Sequence, residues 1–187
     1  MRVRLETERL ILRPFELDDA IDVYYGWAND EEVTKYLTWN HHTDIEQTKQ
    51  ILSIWVAQYE KKERINFGIV LKENGKLIGG IDVVGYIEGV PVIGYTLSRK
   101  HWGKGIMTEA CNKVLEFLFS LGYDKVRIDA QVENIASNKV IIKCGGKYQD
   151  TYTEYFPNKG KNRSVNRYLV IKGRRTPPTA RTLACSR

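Results

Sequence analysis

Lys100-His101-Trp102-Gly103-Lys104-Gly105-Ile106-Met107-Thr108-Glu109-Ala110 joins a β-patterned run to a helix-patterned one, with two glycines at the junction. Gly103 and Gly105 let the backbone approach a ligand closely and turn its N–H groups outward. A helix starting near Ile106 adds four unpaired N–H donors and roughly half a positive charge at its first turn. Lys104 adds a positive side chain, so the segment reads as an anion site suited to a pyrophosphate. Two common phosphate motifs do not fit it. A Walker loop needs Gly-x4-Gly-Lys-Ser/Thr, which is absent here. A dinucleotide fingerprint needs a further glycine at position 108, where Thr108 stands, and it opens a βαβ unit.

The flanks do not read as that unit. Upstream, Phe67–Leu71, Leu77–Tyr86 and Val90–Leu97 are β-rich runs separated by Glu73-Asn74-Gly75-Lys76 and Glu88-Gly89. Asn-Gly between such runs signals a hairpin, so these three strands form an antiparallel meander. Downstream, Ile106, Ala110, Val114, Phe117, Leu118 and Leu121 recur on one helical face, and Gly122 stops the helix. Val126–Val132 follows as a strand, Ser137–Lys143 as a short helix ended by Gly145-Gly146, and Lys147–Phe156 and Val165–Ile171 as two more strands. Before the meander, Leu5, Leu10, Ile11 and Leu12 predict one strand ended by Pro14. Asp18-Asp19 open a helix through Ile21, Val23, Tyr24 and Trp27, and a second short helix covers Asp30–Tyr36. Thr43 with Glu46 reads as the capping box of a third, with Ile51, Leu52, Trp55, Val56 and Tyr59 behind it. The order predicts an α+β domain over 1–171: about seven strands in one mainly antiparallel sheet, with about four helices.

The chain has 187 residues, 42% hydrophobic and 28% charged, which suits one soluble domain with a real core. No apolar stretch approaches the ~20 residues of a membrane span. The charged start, Met1-Arg-Val-Arg-Leu-Glu-Thr-Glu-Arg, lacks the apolar run of a signal peptide. Three cysteines, Cys111, Cys144 and Cys185, are too few and too scattered for a disulfide framework or a CxxC metal site. His41-His42 is a poor chelating pair, because adjacent residues point in different directions. No metal is expected, and a reducing cytoplasm fits best. The formal charge of +6 owes five positive charges to residues 172–187, leaving 24 basic and 23 acidic residues in 1–171. A basic face for nucleic acid is therefore not demanded. The tail itself, with Pro177-Pro178 and little to bury, is expected to be disordered.

Taken together, these motifs resemble the Gcn5-related N-acetyltransferases (GNAT), and within them the ribosomal-protein-alanine (RimJ/RimL-type) branch. The family's acetyl-CoA loop, Gln/Arg-x-x-Gly-x-Gly/Ala, is filled by Trp102-Gly103-Lys104-Gly105-Ile106-Met107, followed by Thr108. Met107 departs from the usual small residue, which costs little where the contact is a backbone N–H. A second motif, Asn134-Ile-Ala-Ser137 running into Val140-Ile-Ile-Lys143-Cys-Gly145-Gly146, follows at the expected distance. The opening Glu6-Thr-Glu-Arg-Leu-Ile-Leu-Arg-Pro14 is similar to that branch as well.

The resemblance implies a sheet that splays between strands four and five and admits the pantetheine arm of acetyl-CoA. Backbone groups near Leu97 would hold the arm and polarise the acetyl carbonyl, and Asn134 would contact pantetheine. Ser137 would lie near the thioester sulfur and serve as proton donor, since the position of the family's tyrosine acid is Ile141; Tyr155 is an alternative. Asp129 and Glu154 are the candidate bases, and Asp82 and Glu88 could bind a cationic substrate. The amine attacks directly, so Cys144 reads as packed, not nucleophilic. An N-terminal α-amine, with pKa ~7.7–8.0, asks much less of a base than a lysine at ~10.4. The expected acceptor is therefore a protein N-terminus, of ribosomal-protein type, with a small amine or a non-catalytic acyl-CoA-binding module as alternatives. Trp27 and Trp55 are expected in the core and Trp39 in the cleft wall, with monomer and homodimer both open.

Overall fold

In the computed structural model, which describes residues 3–61 and 64–173, both glycine turns close hairpins. Glu88 (φ 51°) and Gly89 (φ 77°) are left-handed together, the requirement of a tight two-residue hairpin turn. Asn74 Oδ1 accepts the Lys76 N–H at 3.0 Å in the other. The strands are β1 (Leu5–Glu6), β2 (Leu10–Arg13), β3 (Asn66–Leu71), β4 (Leu77–Ile87), β5 (Val90–Leu97), β6 (Lys125–Gln131), β7 (Lys147–Phe156) and β8 (Lys161–Ile171). They form one eight-stranded sheet in the order β1-β2-β3-β4-β5-β6-β8-β7, antiparallel throughout except for β5 against β6.

The eighth strand comes from the N-terminus, where one strand was expected. Thr7 Oγ1 accepts the Leu10 N–H at 2.9 Å and folds the segment back on itself, pairing Leu5 with Leu12. Among the described residues five α-helices complete the fold: α1 (Ala20–Val23), α2 (Glu31–Thr34), α3 (Ile45–Glu60), α4 (Ile106–Ser120) and α5 (Ile135–Lys143). The helix expected from Asp18 to Trp27 breaks into a 3-10 turn at Leu17–Asp19, α1, and a π turn at Tyr24–Ala28. Asp19 is diverted there, holding the Glu16 N–H at 2.8 Å and the Arg13 guanidinium at 2.7 Å. The cap of α3 is also one residue later than Thr43: Asp44 accepts the Glu46 N–H at 3.0 Å, and the Thr43 N–H goes to Gln47.

Two apolar layers sandwich the sheet. Adjacent strand residues face opposite ways, and Ile69 and Ile78 point to one layer while Val70 and Leu77 point to the other. The first layer is the buried face of α4, with Ala110, Val114, Leu115 and Leu118 fully covered, and Ile141 of α5. The second holds Phe15, Val23, Trp27 and Leu52 beneath α1–α3. Lys172 still belongs to the fold: its N–H bonds the Asp124 carbonyl at 2.9 Å, and its ammonium bonds the Phe119 carbonyl at 3.1 Å. Residues 174–187, which include Cys185 and most of the expected tail, lie outside the described residues.

The parallel pair β5–β6 is short. Val92 pairs with Arg127 and Ile93 with Ile128, and β5 then continues to Leu97 and β6 to Gln131 with no further register between them. The sheet opens at that point. Gly79 of β4 sits opposite Leu97 on the side of β5 away from β6, and a Cβ there would stand 2.5 Å from the Thr96 carbonyl. Gly79→Ala is expected to cost about 1–3 kcal/mol by overpacking, a fall of several degrees in melting midpoint. Gly26→Ala, with nothing within 4 Å, leaves the midpoint in place; calorimetry on the two variants checks this.

Candidate active site

The glycine loop is built by local conformation. After β5 a 3-10 turn at Arg99–His101 leads to Trp102, whose indole N–H donates to the Leu97 carbonyl at 2.7 Å. Gly103 (φ 73°) and Gly105 (φ 74°) are both left-handed, where a side chain would be strained. Gly105 caps α4 without a side chain to offer, and the first bond within the helix is Glu109 N–H to the Gly105 carbonyl. The N–H groups of Ile106, Met107 and Thr108 are thus left to a ligand, at the positive end of a 15-residue helix. The Ile106 and Met107 side chains are buried in the core, which fixes the backbone they carry.

A carboxylate beside an anion site is a problem, and Glu109 is one. It is neutralised by the β1–β2 hairpin. Arg9 bonds it through Nη2 and Nε at 2.7 Å and through its backbone N–H at 3.0 Å, and Thr7 Oγ1 donates at 2.6 Å. Burial pushes the Glu109 carboxyl up, but these donors together hold it below its ordinary value. Arg9 also bonds the Lys104 carbonyl at 3.0 Å, so one guanidinium ties the loop to the helix. Beside the loop lies a hollow of about 430 Å³ lined by Arg9, Lys72, His101 and Lys104.

The opening between β5 and β6 exposes backbone donors by parity. The Ser98 N–H bonds the Ile78 carbonyl of β4 at 2.8 Å, so in an alternating ladder the N–H groups of Tyr95 and Leu97 face the other way, into the opening. Across from them Asn134 caps α5, its Oδ1 accepting the Ser137 N–H at 3.1 Å. The Asn134 Nδ2 has no partner among the described residues. Ser137 Oγ lies 2.8 Å from the Tyr95 phenol oxygen.

A cavity of about 950 Å³ runs from this opening under α1–α3. Tyr95, Asn134 and Ser137 line one end, and Trp27, Trp39 and Trp55 wall the other; Trp27 is also core, as expected. Both candidate bases face it, in different states. Asp129 receives Arg127 through Nε at 2.8–2.9 Å and Nη2 at 2.6 Å, and the Tyr152 hydroxyl at 3.0 Å. Glu154 meets only the Tyr152 hydroxyl, at 3.3 Å, and has no ion-pair partner among the described residues. Asp82 also lines the cavity, 2.5 Å from Arg64, whose guanidinium lies over Trp55 at 4.8 Å. Burial pushes the Asp82 carboxyl up to about 6, outweighing the pull of Arg64. Glu88 and Tyr155 stand apart from this cavity, and Cys144 is buried with its thiol on the Thr108 carbonyl at 3.7 Å.

Three features escaped the sequence reading. The Arg9–Glu109 clamp spans 100 positions, although Thr7 and Arg9 sit inside the quoted opening motif. The Arg127–Asp129 pair is only two residues apart, on one strand face, and was available from alternation. Tyr95 lies inside the Val90–Leu97 strand, with nothing in the sequence to single it out.

The comparisons with known proteins agree with this geometry. A family model described as an acetyltransferase (GNAT) domain matches residues 9–147. An uncharacterized N-acetyltransferase, p20 of Bacillus licheniformis, is 32% identical over 171 residues, 90% of this chain and 96% of that one. Among solved structures, the ribosomal-protein-S5-alanine acetyltransferase of Vibrio fischeri aligns with a TM-score of 0.78 at 21% identity, covering 94% of this chain and all of that one. The self-immunity acetyltransferase MccE, solved with acetyl-CoA and AMP, aligns with a TM-score of 0.79 at 20% identity over 88% of this chain and 93% of its own. With its parted sheet, left-handed glycine loop and free helix N-terminus, the chain belongs to the GNAT family of N-acetyltransferases.

Proposed function

We propose that the protein carries an acetyl group from acetyl-CoA directly to a protein N-terminal α-amine, of ribosomal-protein type, in the cytoplasm. The observation that carries this reading is Glu154, a carboxylate without an ion-pair partner among the described residues, in the same cavity as Ser137 and the β5–β6 opening. The Vibrio fischeri neighbour, a ribosomal-protein-S5-alanine acetyltransferase, supports the acceptor class by analogy.

The residues present fit acetyl-CoA. Free N–H groups at Ile106, Met107 and Thr108 suit a pyrophosphate, and Lys104 adds charge beside them. Leu97 and Tyr95 N–H groups and the Asn134 Nδ2 suit the amides of pantetheine, and MccE was solved with this ligand. Acetyl-CoA supplies a thioester whose carbonyl carbon accepts a nucleophile. A fixed backbone donor on β5 stabilises the oxyanion that forms, worth about 3–4 kcal/mol. Glu154 takes the proton of the attacking nitrogen, directly or through one water. An α-amine near pKa ~7.7–8.0 needs little more than this weak base. Ser137 donates a hydrogen bond to the departing sulfur. Asp129, fully engaged with Arg127, holds that guanidinium and Tyr152 in place instead of acting as base.

A small amine is the second reading, because about 950 Å³ is within the size of small-molecule sites and Asp82 lies inside it. Turnover of peptides starting with Ala, Ser or Met well above that of spermidine or an aminoglycoside supports the first reading; the reverse order supports the second.

The residue assignments are each open to measurement. Acetyl-CoA and CoA, but not NADH, are expected to raise the melting midpoint by about 5–10 °C at 100 times their Kd. Glu154→Gln is expected to lower kcat by about 100-fold, while Asp129→Asn chiefly lowers the melting midpoint; steady-state kinetics beside calorimetry separate the two. Arg9→Ala is expected to raise KM for acetyl-CoA about tenfold, by leaving the Glu109 charge facing the pyrophosphate.

A further inference from the structure

We propose that Tyr95 is a positioning residue for acetyl transfer: its phenol holds the Ser137 hydroxyl so that the serine proton points into the β5–β6 opening. This rests on the reading of Ser137 as the donor to sulfur. The Tyr95 oxygen has two contacts among the described residues, Ser137 Oγ at 2.8 Å and the Ser137 carbonyl at 3.3 Å. The first is an ordinary O–H···O bond and the second is long for one. Either oxygen can donate across the 2.8 Å contact; with the phenol, the stronger acid of the two in water, as donor, its one proton goes to Ser137 Oγ. The serine proton is then free for another acceptor, and Ser137 lines the cavity.

Three further observations make the arrangement rigid. The Tyr95 ring is partly buried and packs against the core under α4 and α5. Burial, with the nearby Cys111 and Cys144 adding to it, pushes the phenol up, so Tyr95 stays a neutral donor at any working pH. Ser137 is itself fixed by the Asn134 cap on its N–H. The pair thus bridges β5 to α5 beside the point where the β5–β6 ladder ends.

In the reaction the amine lone pair forms the bond to the acetyl carbon, and the C–S bond breaks with its electrons on sulfur. The proton lost by nitrogen passes through Glu154 to solvent, and a proton from solvent completes the thiol. Ser137 and Tyr95 end with the protons they began with; they lend hydrogen bonds to the sulfur charge, and each polarises the next.

Tyr95→Phe keeps the ring and removes only the oxygen. It is expected to lower kcat about tenfold with KM for acetyl-CoA unchanged, because the backbone donors stay. Ser137→Ala is expected to lower kcat at least as much, and the double variant to be no worse than Ser137→Ala alone, since one group acts through the other. Losses that multiply in the double variant, or full kcat in Tyr95→Phe beside a reduced Ser137→Ala, overturn the proposal while leaving Ser137 as donor. Full kcat in Ser137→Ala overturns both. Should Tyr95→Phe fail to fold, 3-fluorotyrosine at position 95 replaces it: a changed kcat at an unchanged melting midpoint supports the role, and an unchanged kcat overturns it.

Discussion

The rest of the molecule depends on a ladder that stops. Past Ile93 and Ile128 the two central strands part, and a strand edge that parts inside a protein leaves backbone N–H groups without partners. Such an edge is costly unless water or a ligand meets it. Everything around the gap serves to hold it open at a fixed width: the antiparallel hairpins on the β4 side, the β8–β7 pair on the β6 side, and α4 and α5 across one face. Trp102 ties off one acceptor by bonding the Leu97 carbonyl, so what faces the gap there is a donor. A site for a polar chain with a carbonyl at its end is the direct result.

Electrostatics tie the N-terminal hairpin to the start of α4. A helix N-terminus welcomes an anion, but Glu109 one turn inside would repel it. The hairpin brings a guanidinium, a hydroxyl and a backbone N–H to that one carboxylate. The same logic is repeated on the acceptor side. Asp82 and Asp129 are each balanced by an arginine, and among the described residues Glu154 is left without one. The cavity is therefore close to neutral apart from the Glu154 carboxylate in its wall.

What could be read in the sequence was local. The Gly103-x-Gly105 pair, the Asn74-Gly75 and Glu88-Gly89 turns and the apolar face of α4 each declare themselves within a few residues. Asn134 and Ser137 could be placed because the resemblance covers them as one motif. What could not be read was pairing across the chain. Nothing near Thr7 announces that its hydroxyl turns the N-terminal strand back and then meets Glu109, 102 positions away. Asp18-Asp19 looked like a plain helix start because the competing Arg13 bond is tertiary. Asp129 and Glu154 were alike as sequence, both acids on late strands. The arginine on the same face separates them, and so does the register that brings Tyr152 between them.

The indole of Trp102 joins the glycine loop to the open edge of β5, and nearly half of the residue is exposed at 45%. An indole with its N–H on a backbone carbonyl and its ring half in water has an emission sensitive to both. The protein therefore carries its own optical probe where the glycine loop meets the parted strands, with no label to attach.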